Sequence, residues 1–83
     1  MNAASPTPLA DALARRRQAE HDIAVALRRE YPVGAHIVFV DHGGRERVAV
    51  VTGHCFGERV QVETCDTRRS RKLYAAMLRG RAA

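Results

Sequence analysis

Basic side chains near the C-terminal end are the residues of this sequence whose types and spacing most clearly indicate chemistry. Between Thr67 and Ala83 the chain carries six basic residues and no acidic residue. Such a run can neutralise several phosphates, and each neutralised phosphate releases condensed counterions. No base-reading motif accompanies the run, so the predicted nucleic-acid binding is sequence-tolerant. The residues that we expect to make these contacts are Arg68, Arg69, Arg71, Lys72 and Arg79.

The overall charge agrees with a nucleic acid or another acidic partner, but it also has a second explanation. The 83-residue chain has a formal charge of +5, from 14 basic and 9 acidic residues. All of the basic residues except Lys72 are arginine, whose planar guanidinium fork suits phosphates and carboxylates. A GC-rich coding genome would produce the same arginine bias, and charge runs are often only solvated surfaces. Composition alone leaves both explanations open.

Catalytic constellations are missing from the sequence. The serines are Ser5 and Ser70, and neither lies in the Gly-x-Ser-x-Gly elbow of a nucleophilic hydrolase. No glycine-rich phosphate loop of either common type is present. We therefore predict a protein that is not an enzyme and that needs no cofactor.

Histidine and cysteine side chains between positions 36 and 65 raise the question of a metal site. Cys55 and Cys65 are far apart, whereas structural zinc sites usually contain two cysteines separated by two to four residues. We predict no metal site. Two cysteines are also too few for a secreted disulfide framework, and no apolar run approaches the ~20 residues of a membrane span. We expect a cytoplasmic protein with reduced thiols and no membrane partner.

A long helix is predicted over residues 7–31, after a mobile start over residues 1–6. Thr7 suits the N-cap and Pro8 suits the first helical position, where a missing N–H group costs nothing. Pro32 ends the helix because proline disfavours helical backbone in the residue that precedes it.

Two separate apolar stripes divide this helix. Ile23, Leu27 and Tyr31 are spaced by four residues, which predicts that the C-terminal half of the helix packs on the rest of the domain. Leu9 and Leu13 form a second stripe, and a run of arginines separates it from the first. The alternative function is therefore a protein-interaction or self-association module, such as a phage or mobile-element accessory protein, that uses the exposed helix. Its predicted contact residues are Leu9, Leu13 and Arg16.

Three short strands follow the helix. Residues 35–40, 47–52 and 59–63 are rich in β-branched side chains and are separated by glycine-containing turns. Short turns between consecutive strands are typical of an antiparallel meander. We predict an inner face with the helix residues Ile23 and Leu27 packed against it. The strand residues expected on that face are Val48, Val50, Val60 and Val62.

The C-terminal stretch has two interpretations. Residues 69–74 form a fourth strand followed by a helical turn over 75–78, or residues 70–79 form one helix. We favour the strand, because three strands alone would leave two unprotected edges. The predicted fold is α+β, with a small antiparallel barrel of four or five short strands over residues 32–79. The barrel forms one domain with the helix, and residues 80–83 form a basic C-terminal end.

Several short motifs between Tyr31 and Leu78 resemble those of a known superfamily. They are Pro32-Val33-Gly34, Ile37-Val38-Phe39-Val40, Gly43-Gly44, Val48-Ala49-Val50-Val51 and Val60-Gln61-Val62-Glu63. This segment resembles the small SH3-like barrels in their KOW/Tudor-like form, and small prophage-encoded proteins often look like it. The resemblance implies a barrel with a generic binding role. The chain departs from KOW domains at Arg47 and Ala49, where those domains place a glycine in the second strand.

Overall fold

The computed structural model describes residues 7–82, in which one helix precedes five short strands. The predicted mobile start over residues 1–6 lies outside the described residues. The α+β class is confirmed. The elements are α1 (Pro8–Glu30), β1 (His36–Val40), β2 (Glu46–His54), β3 (Arg59–Thr64), β4 (Ser70–Tyr74) and β5 (Leu78–Arg81), with a 3₁₀ turn at Ala75–Met77.

The helix begins and ends where its capping residues require. The Thr7 side-chain oxygen accepts a hydrogen bond from the Ala10 N–H at 3.0 Å, which satisfies one of the orphan donors of the first turn.

Every residue from Thr7 to Asp22 is exposed, whereas Leu27 is buried. The prediction that only the C-terminal half of α1 packs on the rest of the domain is confirmed. Within residues 7–82, no helix is long and apolar enough to cross a membrane.

The strands form one antiparallel sheet in the order β4-β3-β2-β1-β5. A flat sheet would place its two edge strands, β4 and β5, about 19 Å apart, at ~4.8 Å per strand. The short 3₁₀ turn between Tyr74 and Leu78 can span at most ~14 Å even if fully extended. The sheet is therefore strongly curled. Its hydrogen-bonded ladder stays open, because β4 and β5 do not pair with each other within residues 7–82.

The core lies on the inner face of this curled sheet. The predicted positions of Val60, Val62, Ile23 and Leu27 are confirmed, since Val60, Val62 and Leu27 are buried and Ile23 packs against them. Burial of these apolar side chains is the main favourable term for a domain of this size. The strand residues that complete the buried cluster are Ile37, Phe39, Ala49, Val51 and Leu73.

The predicted inner face of β2 is wrong. Val48 is 40% exposed and Val50 is half-buried, whereas Ala49 and Val51 are buried. Ala49 lies opposite Ile37 of β1, so the cross-strand register turns this side of β2 toward the core. Val48-Ala49-Val50-Val51 is apolar at every position, and a continuous apolar run does not identify the inner face by alternation.

The strand interpretation of the C-terminal stretch is confirmed, and the alternative helix over 70–79 is wrong. Residues Ser70–Tyr74 pair with β3, and the helical turn follows them. A fifth strand then continues to Arg81, beyond the predicted end of the barrel at residue 79. Arg81 pairs with Ile37 across an irregularity in the ladder, so part of the predicted basic end over 80–83 belongs to the sheet.

Candidate functional site

The turn between β3 and β4 is organised by one buried hydroxyl. Thr64 is fully buried, and its side-chain oxygen lies 2.6 Å from the Thr67 hydroxyl and accepts the Arg69 N–H at 3.1 Å. The backbone N–H of Thr64 also donates to the Arg69 carbonyl at 2.9 Å. Arg68 occupies the left-handed region at φ 54°, which is uncommon for a residue with a side chain. This bonded turn fixes Arg69 relative to the end of β3.

Strand alternation places two neighbouring predicted site residues on opposite faces of β4. Arg71 lies opposite the buried Val62, whereas Lys72 lies opposite Gln61. Successive side chains of a strand point to opposite faces. Arg71 therefore belongs to the rim of the inner face, and Lys72 is exposed on the outer face.

Three arginines converge at the end of the sheet where β2 and β4 begin. They line an open cleft of about 360 Å³, together with two hydroxyl side chains. Arg69 and Arg71 were predicted to bind phosphate, whereas Arg47 was not. The residues of this arginine cleft are Arg47, Thr67, Arg69, Ser70 and Arg71.

A buried phenylalanine supports two of these guanidinium groups. The guanidinium carbon of Arg47 lies 6.0 Å from the centre of the Phe39 ring, and that of Arg71 lies 5.6 Å from it. Cations are attracted to the negative face of an aromatic ring at such distances. Phe39 is fully buried, so it provides a fixed apolar base on which the two cationic groups lie.

One carboxylate, that of Asp66, is bonded to an arginine of the cleft. Nη2 of Arg47 lies 2.9 Å from Oδ1 and 3.1 Å from Oδ2 of Asp66, and Oδ1 also accepts the Thr67 N–H at 2.8 Å. The hydrogen bond from Arg47 lowers the pKa of Asp66, against a smaller opposing effect of desolvation. Asp66 is therefore ionised at neutral pH and neutralises part of the charge of Arg47.

The arginine cleft keeps an excess of positive charge. It contains three guanidinium groups, and the only carboxylate bonded to them within residues 7–82 is that of Asp66. The side chains of Arg69 and Arg71 make no hydrogen bond or ion pair within this range. Guanidinium groups arranged beside hydroxyls suit the oxygens of a phosphate group.

The other predicted contacts lie outside the arginine cleft. Arg68 is exposed at the tip of the turn, next to the cleft, and Lys72 faces the other side of the sheet. Arg79 lies on β5, where its Nη1 donates to the carbonyls of Ala76 at 2.7 Å and Leu78 at 3.1 Å. Two of the five predicted residues, Arg69 and Arg71, thus share one site.

The alternative contact residues form a separate surface on α1. Leu9 is 69% exposed and Leu13 is 37% exposed. Arg16 lies beside Glu20, with 3.7 Å between Nε and Oε1, so its charge is partly matched within the helix. A further apolar side chain, Phe56 in the β2–β3 loop, is 96% exposed.

The histidine and cysteine side chains do not converge in the described part of the chain. No group of three or more His, Cys, Asp or Glu residues within residues 7–82 could hold a metal ion. Cys55 is half-buried and Cys65 is exposed, and both are free thiols. His54 has a local partner, since its Nε2 lies 2.8 Å from the Tyr31 carbonyl at the end of α1.

Arg47 is the site residue that the sequence does not indicate. It lies 19 positions from its partner Asp66, and it joins the cleft only because β2 begins where β3 ends.

In comparison with known proteins, no family model, curated protein or solved structure matches the chain.

Proposed function

We propose that this chain is a non-catalytic module that binds the phosphates of a nucleic acid, or of another polyanion, through the arginine cleft. The observation that carries the proposal is the convergence of three guanidinium groups against a single carboxylate. Charge-assisted hydrogen bonds from arginine to phosphate are among the strongest polar contacts that proteins make. Arg68 extends the positive surface beyond the cleft.

Sequence-tolerant binding is the form of recognition that this site supports. The cleft is open and short, and contacts to phosphate position a protein without carrying base information. The neighbouring segment from Thr67 to Ala82 contains no acidic residue that would repel a nucleic-acid backbone. We therefore expect similar affinities for random duplexes of different sequence.

We also propose that the curled sheet and the end of α1 make up a small SH3-like barrel. The five-strand antiparallel order and the short crossing from β4 to β5 support this proposal. Backbone hydrogen exchange would test it, because a barrel protects the edge strands more than an open sheet does. The N–H groups of β4 and β5 that bond to β3 and β1 should be protected as strongly as those of β2, and rapid exchange of these bonded groups in both strands would contradict the barrel.

The binding experiment compares two double substitutions that remove the same charge. Arg69→Ala with Arg71→Ala removes two of the three arginines from the cleft, and Arg15→Ala with Arg17→Ala removes two arginines from the exposed helix. Affinity for a fluorescent random duplex is measured across salt concentrations. The cleft variant should flatten the slope of log K against log salt by about 2, at ~0.9 per phosphate contact. The helix variant should leave the slope unchanged.

Two results of this experiment would reject the proposal or move the site. A wild-type chain that does not bind duplex or single strands at low salt would reject nucleic-acid binding. A loss of affinity in the helix variant alone would place the contact on α1.

The second candidate function is a protein contact made by the exposed half of α1. The observation that favours it is the exposure of every residue from Thr7 to Asp22, with Leu9 and Leu13 on that surface. A helix that binds in a groove is held mainly by apolar burial, so such a complex should depend weakly on salt. Leu9→Ala with Leu13→Ala should abolish this contact and should leave nucleic-acid affinity unchanged.

A further inference from the structure

The ion pair between Arg47 and Asp66 lies inside the candidate binding site. Arg47 is half-buried at the start of β2, whereas Asp66 is exposed in the β3–β4 turn. The Arg47 guanidinium lies against the same Phe39 ring as that of Arg71. The Asp66 carboxylate is therefore bonded to one of the three guanidinium groups of the arginine cleft, that of Arg47.

A carboxylate and a phosphate compete for the same donors. Both present oxygens that accept charge-assisted hydrogen bonds from guanidinium N–H groups. Ion pairs between solvent-accessible groups contribute little, because both ions remain hydrated when they separate. The Asp66 side chain is 64% exposed and that of Arg47 is 24% exposed, so the carboxylate can turn into water and a phosphate oxygen can take its place beside the guanidinium.

We propose that Asp66 is an internal competitor for phosphate at Arg47. Its carboxylate holds the Arg47 guanidinium in the unbound protein, and a phosphate of the bound polyanion displaces it. Arg47 then makes a third phosphate contact beside Arg69 and Arg71. This inference rests on the proposed function and names a regulatory contact of the same site.

The alternative role of Asp66 is purely structural. In that case the ion pair only ties the β3–β4 turn to β2 and persists when the ligand binds. Removing the carboxylate would then lower stability. It would change the affinity for the polyanion no more than the loss of one negative charge elsewhere on the domain does. Removing Arg47 would leave the number of phosphate contacts unchanged.

Asp66→Asn separates the two roles, because the amide oxygen can still accept the Thr67 N–H. Glu58→Gln is the matched control, since it removes the same charge from the β2–β3 loop at the opposite end of β3. Affinity is measured with the same fluorescent random duplex across salt concentrations. Asp66→Asn should bind about two- to fivefold more tightly than Glu58→Gln, the range that corresponds to an exposed ion pair.

Arg47→Ala completes the test. It should flatten the slope of log K against log salt by about 0.9, the effect of one lost phosphate contact. In the Arg47→Ala background, Asp66→Asn should have no more effect than Glu58→Gln. Equal affinities of Asp66→Asn and Glu58→Gln in the wild-type background would overturn the proposal. A tightening by Asp66→Asn that persists without Arg47 would overturn it as well.

Failure of the proposed function would be recognised separately. If the wild-type chain does not bind duplex, the same variants are titrated with inorganic pyrophosphate and followed by the Thr67 and Ser70 amide signals. Tighter binding by Asp66→Asn than by Glu58→Gln would support the exchange at Arg47 without a nucleic acid, and equal or no binding would overturn it. Asp66→Ser is the substitute if the asparagine variant does not fold.

Discussion

Val51→Ala and Val48→Ala are the same substitution on opposite faces of one strand, and they test the inner face of β2. Val51 is fully buried and pairs with the buried Val62, whereas Val48 is 40% exposed and pairs with Val38 on the outer face. Both variants lose the same β-branched side chain from β2, so differences in strand propensity largely cancel. The difference in stability between the two variants therefore measures burial.

The expected magnitude follows from the carbon atoms that leave the core. Valine to alanine removes two carbons, and each buried methylene contributes ~0.8 kcal/mol, which gives about 1.6 kcal/mol for Val51. A cavity that does not collapse raises the loss in the free energy of unfolding to about 2–3 kcal/mol. Val48→Ala should cost about 0.5 kcal/mol or less, as is usual for surface substitutions.

Urea denaturation followed by circular dichroism measures both free energies of unfolding. In a thermal melt, a loss of about 1.6 kcal/mol in Val51→Ala should lower the midpoint by about 6–13 °C, at 4–8 °C per kcal/mol for a domain of this size. Equal losses in the two variants, or a larger loss for Val48→Ala, would refute the observed register of β2. A change in the m-value would indicate instead that the variant has altered the denatured state.

Three further predictions concern the β3–β4 turn. Thr64→Val should cost about 1–3 kcal/mol in urea denaturation, because the buried Thr64 hydroxyl loses its hydrogen bonds with the Arg69 N–H and the Thr67 hydroxyl, at about 0.5–1.5 kcal/mol each. Arg68→Gly should raise stability by about 0.5–1 kcal/mol, since glycine adopts a positive φ without steric cost, and a lower thermal midpoint would contradict this. By NMR, Asp66 should titrate below its ordinary pKa, and Arg47→Ala should raise that pKa. The stability that this ion pair contributes is fully present above the pKa of Asp66 in the unfolded chain, and it is lost as the pH falls through the lower pKa of the folded protein. The free energies of unfolding of Arg47→Ala and the wild type should therefore converge at acidic pH.

Local signals in the sequence were sufficient for most of the secondary structure. Thr7 and Pro8 at one end and Pro32 at the other define α1, because capping and backbone restriction act within a few residues. The alternation of residues 59–63 predicted β3 and its buried face for the same reason. The packing of only the C-terminal half of α1 followed from the position of its apolar stripe.

Features that depend on pairing between distant segments were not predictable. The inner face of β2 is decided by its register with β1, and the position of Arg47 beside Asp66 is decided by the ends of β2 and β3. The fifth strand lacks an apolar pattern, since Arg79 and Arg81 alternate with Leu78 and a glycine. A run of charges also gave no information on which faces its members occupy, so Arg71 and Lys72 were predicted together although they lie on opposite sides of β4.

The most direct test of binding at the arginine cleft is an NMR titration of the labelled chain with a random duplex at low salt. Binding at the cleft predicts that the amide signals of Arg47, Thr67, Arg69 and Arg71 shift most, and that those from Leu9 to Arg16 stay in place. The shifts should disappear as salt is raised, because phosphate contacts release counterions. Shifts confined to the exposed half of α1, or no shifts at low salt, would contradict the proposed function.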